Sequence, residues 1–166
     1  MKYTIIESPI GPLLVARDAE GITTLLLPNG RTGPRRQDPD PRWVRDDAAF
    51  DDVRTQLGEY FAGTRTSFDL PVHLIGSPFQ LRVWRALLDI PYGETRSYGQ
   101  QTAAIGAPPT AARAVGSANG QNPIPIIVPC HRVIGANGSL IGYGGGLPTK
   151  QQLLALEATH TGLFAS

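Results

Sequence analysis

Cysteine is nearly missing from this chain: Cys130 is the only thiol in 166 residues. One cysteine excludes an internal disulfide and any cysteine-rich metal cluster, and it suits a reducing compartment, so a cytoplasmic protein is expected. Long apolar runs are missing too, and none approaches the roughly 18 residues that a membrane span needs. The opening Met1-Lys2-Tyr3-Thr4-Ile5-Ile6-Glu7 is too short and too polar for a signal peptide's apolar region. Net charge of either sign is small, at +1. That figure hides a split. Residues 1–76 hold 9 Lys and Arg against 11 Asp and Glu, whereas residues 77–166 hold 6 against 3. The second half is therefore the one expected to face an anion, although the excess is too small to establish nucleic-acid binding. The length fits one domain of about 150 residues or two small ones.

In the first half, residues 2–7, 12–17 and 22–27 are short runs of Ile, Leu, Val and Thr divided by turn chemistry at Pro9-Ile10-Gly11-Pro12 and Asp18-Ala19-Glu20-Gly21. They predict a small antiparallel sheet. The Pro- and Arg-rich stretch at about 28–42 has no apolar period and predicts a mobile, solvated loop. Phe50, Val53, Leu57 and Phe61 recur at helical spacing before Gly63, predicting a helix over 47–62 that covers the sheet. No reactive constellation stands out in residues 1–75, which read as a structural domain.

The second half, residues 76–166, is richer. Ser77-Pro78-Phe79-Gln80 is a capping box opening a helix whose stripe is Phe79, Val83, Trp84, Leu87 and Leu88, with Trp84 read as core. Two short helices, Tyr98–Ile105 and Thr110–Asn119, flank Gly106-Ala107-Pro108-Pro109 in a helix-turn-helix-like spacing. The second of them is built of small residues (Ala111, Ala112, Ala114, Gly116, Ser117, Ala118) with one charge, Arg113. Either close helix packing or a helix kept slim for a narrow groove explains this. Asn137-Gly138 predicts a hairpin joining Val133-Ile134 to Leu140-Ile141. The Gly142–Gly146 loop lacks phosphate-binding spacing but holds Tyr143, which suits close approach to a flat ligand.

Cys130 itself lies in Ile127-Val128-Pro129-Cys130-His131-Arg132-Val133-Ile134, after an extended, proline-stiffened approach over Ile124–Pro129. It is either a small buried hydrophobe or a nucleophile activated by nearby positive charge and a proton acceptor, with a depressed pKa. On the last helix, about Thr149 to His160, Glu157 falls on the apolar stripe of Leu153 and Leu154 and needs a buried partner, for which His131 is the candidate. His160 is expected to meet that helix's C-terminal dipole.

The run Pro129-Cys130-His131-Arg132-Val133-Ile134 resembles the active-site signature of the O6-alkylguanine-DNA alkyltransferases (methylated-DNA–protein-cysteine methyltransferases). Further blocks follow the family's order across residues 77–160: Ile90-Pro91-Tyr92-Gly93-Glu94-Thr95 with Ser97-Tyr98, Ala111-Ala112-Arg113-Ala114-Val115-Gly116, Asn122-Pro123 and Tyr143-Gly144-Gly145-Gly146. The resemblance implies an α/β fold of the α+β type, with a small N-terminal domain and a mostly helical C-terminal one bearing the helix-turn-helix and a short hairpin. It implies a single-turnover enzyme in which Cys130 accepts the alkyl group of O6-alkylguanine, and of O4-alkylthymine, in double-stranded DNA after base flipping. His131 would activate the thiol through a water, Glu157 would orient His131, Asn122 would be the hinge, and Tyr143 would protonate the departing base. Arg113, Tyr98, Ala112, Gly116, Ser117, Asn119 and Arg132 are the implied DNA contacts. Val133, Tyr143, Gly144, Gly145 and Pro125 are the implied contacts of the base. No cofactor or metal is implied, since the N-terminal cysteines by which some relatives bind zinc are missing. A monomer is expected, with cooperative assembly on DNA left open. The rival reading, a non-catalytic binder of alkylated DNA, belongs to relatives that lack the cysteine.

Overall fold

The three strand runs form strands because their Ile, Leu, Val and Thr side chains suit a pleated surface and turn residues interrupt them. A computed structural model, describing residues 1–28, 38–135 and 147–160, places β1 (Lys2–Ile6), β2 (Leu13–Arg17) and β3 (Ile22–Leu26) as antiparallel neighbours. The sheet is mixed rather than purely antiparallel. A two-residue strand, β4 (Val44–Arg45), adds to the open edge of β1 in parallel, giving the order β3-β2-β1-β4. Its residues are too few to carry a readable alternation, so the sequence did not announce it. Leu13, Leu14, Val15 and Ala16 of the central strand are all buried, which requires cover on both faces of the sheet.

A 3-10 turn (Asp47–Phe50), capped by Asp46, leads into α1 (Asp51–Phe61). This helix buries Val53, Leu57 and Tyr60, while Phe61 is only partly covered. Its end is a Schellman cap: Gly63 takes φ +80°, its N–H bonds the carbonyl of Tyr60, and the Thr64 N–H reaches that of Glu59. The chain then returns to pair Ile22 with Val72. Gly21 is required there, because a Cβ would lie 2.7 Å from the carbonyl oxygen of Pro71.

The second half is helical: α2 (Pro78–Leu87), α3 (Tyr98–Ala104), α4 (Ala112–Gly120) and α5 (Leu147–Thr159). Both Ser77 and Ser97 form full capping boxes, with Gln80 and Gln100. Trp84 is buried and donates Nε1–H to the carbonyl of Ala118 at 2.8 Å, tying α2 to α4. Val133-Ile134 (β6) pairs in parallel with Arg96-Ser97 (β5). The expected partner strand at Leu140-Ile141, the turn at Asn137-Gly138 and most of the 28–42 loop lie outside the described residues. His160 bonds the Leu156 carbonyl at the end of α5 and lays its ring against Gly63. One hydrophobic cluster runs from Ile6 and Leu13 through Leu57 and Trp84 to Val128 and Leu153, so the two halves share a core. Among the described residues, no helix is long and apolar enough to cross a membrane.

Leu87 is fully buried whereas Leu88 is 47% exposed. Leu87→Ala should therefore cost about 2–5 kcal/mol in urea unfolding with the slope unchanged. Leu88→Ala should stay within about 0.5 kcal/mol.

Candidate active site

The approach to Cys130 is folded into turns, not extended. Pro123, Pro125 and Pro129 cannot donate to a ladder, and the segment answers with local bonds. The Val128 N–H reaches the Ile124 carbonyl at 2.9 Å, and Ile126 is held at φ +75°. A β-branched residue in that region costs on the order of 1–3 kcal/mol. Burial of Ile124, Ile126, Ile127 and Val128 offsets it, and so does Asn122, whose amide donates to the Val128 carbonyl at 2.8 Å while its oxygen accepts from the Ile124 N–H at 3.0 Å. Pro129 (φ −82°, ψ 66°) makes an inverse γ-turn, with the Cys130 N–H on the Val128 carbonyl. Cys130–Arg132 is a 3-10 turn. Successive side chains there diverge by about 120°, so Cys130 and His131 point to different sides.

Cys130 is 4% exposed. Burial pushes its thiol up to about 11, opposed by a hydrogen bond with Asn122 and the charge of Lys150. The expectation of a depressed pKa is thus reversed: desolvation of the thiolate outweighs the two favourable contacts. Lys150 is itself fully buried, donates Nζ to the Val133 carbonyl at 2.6 Å, and is lowered by burial to about 8. Asn119, expected on DNA, is 1% exposed and turns inward, donating Nδ2 to the Cys130 carbonyl at 3.3 Å.

Behind the turn lies Glu157, 1% exposed. His131 donates Nε2–H to Oε2 at 2.6 Å, and the Tyr60 hydroxyl donates to the same oxygen at 2.7 Å. Arg132 bonds side-on, Nε to Oε1 at 2.8 Å and Nη2 to Oε2 at 3.0 Å, and the Gly93 N–H reaches Oε1 at 3.2 Å. Burial would raise this carboxyl, but the hydrogen bonds from His131 and Arg132 and the charge of Arg132 prevail and hold it at about 2. Arg132, also expected on DNA, is therefore an internal counter-ion; its remaining Nη1 donates to the Ile90 carbonyl at 2.7 Å. Burial lowers His131, so the imidazole is neutral, with the tautomer set by Glu157. Its Nδ1 has no hydrogen-bond partner among the described residues.

On the other side of α4, Arg113, Ala114 and Ser117 are exposed, and Ala112, Gly116 and Tyr98 are half-buried. Pro125 and Val133 are buried beside the cysteine turn, while Tyr143, Gly144 and Gly145 lie outside the described residues.

The family model described as the 6-O-methylguanine DNA methyltransferase DNA-binding domain matches residues 78–159, and that of the ribonuclease-like domain matches residues 1–74. The methylated-DNA–protein-cysteine methyltransferase of Mycolicibacterium paratuberculosis is 54% identical over 161 residues, covering 97% of this chain and 94% of that relative. The chain belongs to the 6-O-methylguanine DNA methyltransferase family. Membership carries the enzyme class, methylated-DNA–protein-cysteine methyltransfer, and with it DNA binding and DNA repair. The crystal structure of Mycobacterium tuberculosis OGT in complex with DNA superposes with a TM-score of 0.88 at 52% identity, covering 97% of this chain and 95% of that one. That of the same bacterium's O6-methylguanine methyltransferase gives 0.86 at 53%, covering 97% and 94%.

Sequence reasoning missed Tyr60 and Lys150. Both were legible as periodicity: Tyr60 follows Leu57 by three residues, and Lys150, Leu153 and Glu157 share one face of α5. Because the folded pKa of Glu157 lies below its ordinary 4.5, its stabilisation is present above that value and is lost as pH falls toward about 2. In denaturant unfolding, the stability difference between the wild type and Glu157→Gln should be constant above about pH 5 and shrink steadily below it.

Proposed function

We propose that this chain repairs O6-alkylguanine, and O4-alkylthymine, in double-stranded DNA by irreversible transfer of the alkyl group to Cys130, with the base flipped out through the minor groove. The observation that carries the reading is the pairing of two groups on one turn. A buried thiol sits between Asn122 and Lys150, and beside it is a neutral His131 committed through Nε2 to Glu157.

With its thiol near 11, only about one molecule in ten thousand holds a thiolate at pH 7. In the proposed mechanism proton removal accompanies attack. His131 Nδ1, relayed by a water, takes the thiol proton as the sulfur forms a bond to the alkyl carbon. The C–O6 bond breaks with its electrons going to the base, and the proton reaches the guanine through Tyr143. A thioether and an unmodified guanine result. The thioether does not hydrolyse, so each molecule acts once, and the balance calls for no cofactor. The carbonyls of Cys130 and Val133 are the proposed acceptors for the guanine's exocyclic amine; the first already accepts from Asn119 Nδ2 and the Val133 N–H and the second from Lys150, so the amine shares an occupied acceptor at Cys130. Pro125, Gly144 and Gly145 are the further contacts proposed for the base, and Asn122 is the proposed hinge between α4 and the cysteine turn.

Residues 76–166 carry DNA binding and transfer, and residues 1–75 support them. In α4, Arg113 fills the gap left by the flipped base and Ala112, Gly116 and Ser117 line the groove-facing side, while Tyr98, the first residue of α3, presses on the adjacent phosphate. Packing alone does not account for Gly116, because an added Cβ would meet the Tyr98 ring at 3.7 Å, an ordinary contact. That favours the slim-helix reading. Asn119 and Arg132 take no part in DNA contact.

The deciding measurement is intact mass after mixing with duplex DNA bearing one O6-methylguanine. A gain of about 14 Da on Cys130, stopping at one per molecule and abolished in Cys130→Ser, is expected. Tight binding with no gain would favour the non-catalytic rival. Arg113→Ala should slow repair of duplex DNA at least about 10-fold more than transfer from the free O6-alkylguanine base, as measured by single-turnover rates.

A further inference from the structure

We infer that Tyr60, carried by α1 in the N-terminal half, is a positioning residue for alkyl transfer: its hydroxyl, bonded to Glu157, sets the proton affinity of His131. The inference rests on the transfer reading above and deepens it, since residues 1–75 otherwise supply only support.

The geometry is specific. Tyr60 is 1% exposed, and Glu157 Oε2 is its hydroxyl's hydrogen-bond partner at 2.7 Å. The same oxygen accepts the His131 Nε2–H at 2.6 Å, so the two donors compete for one atom's charge. The Tyr60 ring is fixed by Phe61, Phe68 and Tyr92, with centroids at 5.3, 5.4 and 6.1 Å. Burial, then the charge of Glu157, push the phenol far above its ordinary value, so it remains a donor at any working pH.

The other groups facing this pair have separate duties. Arg132 holds both carboxylate oxygens, the Gly93 N–H holds Oε1, Tyr92 stacks beneath Arg132, and the charge of Lys150 acts on His131. Among the described residues, Tyr60 is thus the neutral side chain that shares Oε2 with His131. Each hydrogen bond given to a carboxylate disperses its charge and weakens its pull on a neighbouring proton. With Tyr60 in place, Oε2 fixes the Nε2–H tautomer without drawing His131 toward the imidazolium. Nδ1 keeps its lone pair for the thiol proton. Without the hydroxyl, Oε2 becomes the stronger acceptor, the imidazolium is favoured, and less neutral His131 remains at mildly acidic pH.

The test is the pH dependence of single-turnover transfer from O6-methylguanine duplex DNA to Cys130. Tyr60→Phe keeps the ring and removes the donor. Its acid limb should move up by about 0.5 pH unit or more, with DNA affinity unchanged. Phe68→Leu, which loosens the same aromatic cluster, should lower thermal stability and leave the limb in place. Should Tyr60→Phe not fold, 3-fluorotyrosine placed at position 60 keeps shape and hydroxyl while making a stronger donor, and the limb should move down. An unmoved limb in the folded variant, or a uniform loss of rate at every pH, overturns the inference. Absence of transfer in the wild type would instead overturn the reading on which it rests.

Discussion

One carboxylate, Glu157, is buried on α5, and a buried charge must be met by donors or it neutralises. Tyr60, Gly93, His131 and Arg132 meet it, drawn from α1, the loop after α2 and the cysteine turn. Much of the tertiary structure around the site can be described as what brings these donors to one point. Removing one partner of such a buried pair typically costs about 3–5 kcal/mol, far more than the net worth of the intact pair. The carboxylate is thus better understood as a constraint on geometry than as a source of stability.

The thiol presents the converse case. Burial raises the cost of the thiolate, and Asn122 and Lys150 recover only part of it. A resting thiol of that kind is protected from casual oxidation, which follows thiolate character and exposure. Under the proposed transfer, which consumes the cysteine once, such restraint is chemically coherent. Reactivity in that proposal depends on a base acting during attack, the role given to the neutral imidazole on the same turn.

Arg132 and Asn119 are implied as DNA contacts by the family resemblance, yet both side chains are buried. Each turns inward because a nearby acceptor, the Glu157 carboxylate or the Cys130 carbonyl, would otherwise be buried with fewer donors. Tyr60 is the converse. The helical period through Phe50, Val53 and Leu57 extends to either Tyr60 or Phe61, and the fully buried position is Tyr60, three residues beyond Leu57.

The sequence by itself determined the elements and the chemistry. Capping boxes at Ser77 and Ser97, the glycine stop at Gly63, the three strand runs and the ordered blocks around Cys130 are local patterns, fixed by bonds and periodicities within a few residues. Tertiary structure alone decided the environment. The short parallel pairings of β4 with β1 and of β5 with β6, the turn at Ile126, the inward rotation of Arg132 and the joining of Tyr60 to a carboxylate 97 residues away depend on contacts with no local signal. The same holds for the thiol. Sequence identifies a cysteine beside a histidine, but whether its pKa falls or rises depends on how much water the fold removes and where the fold places Lys150.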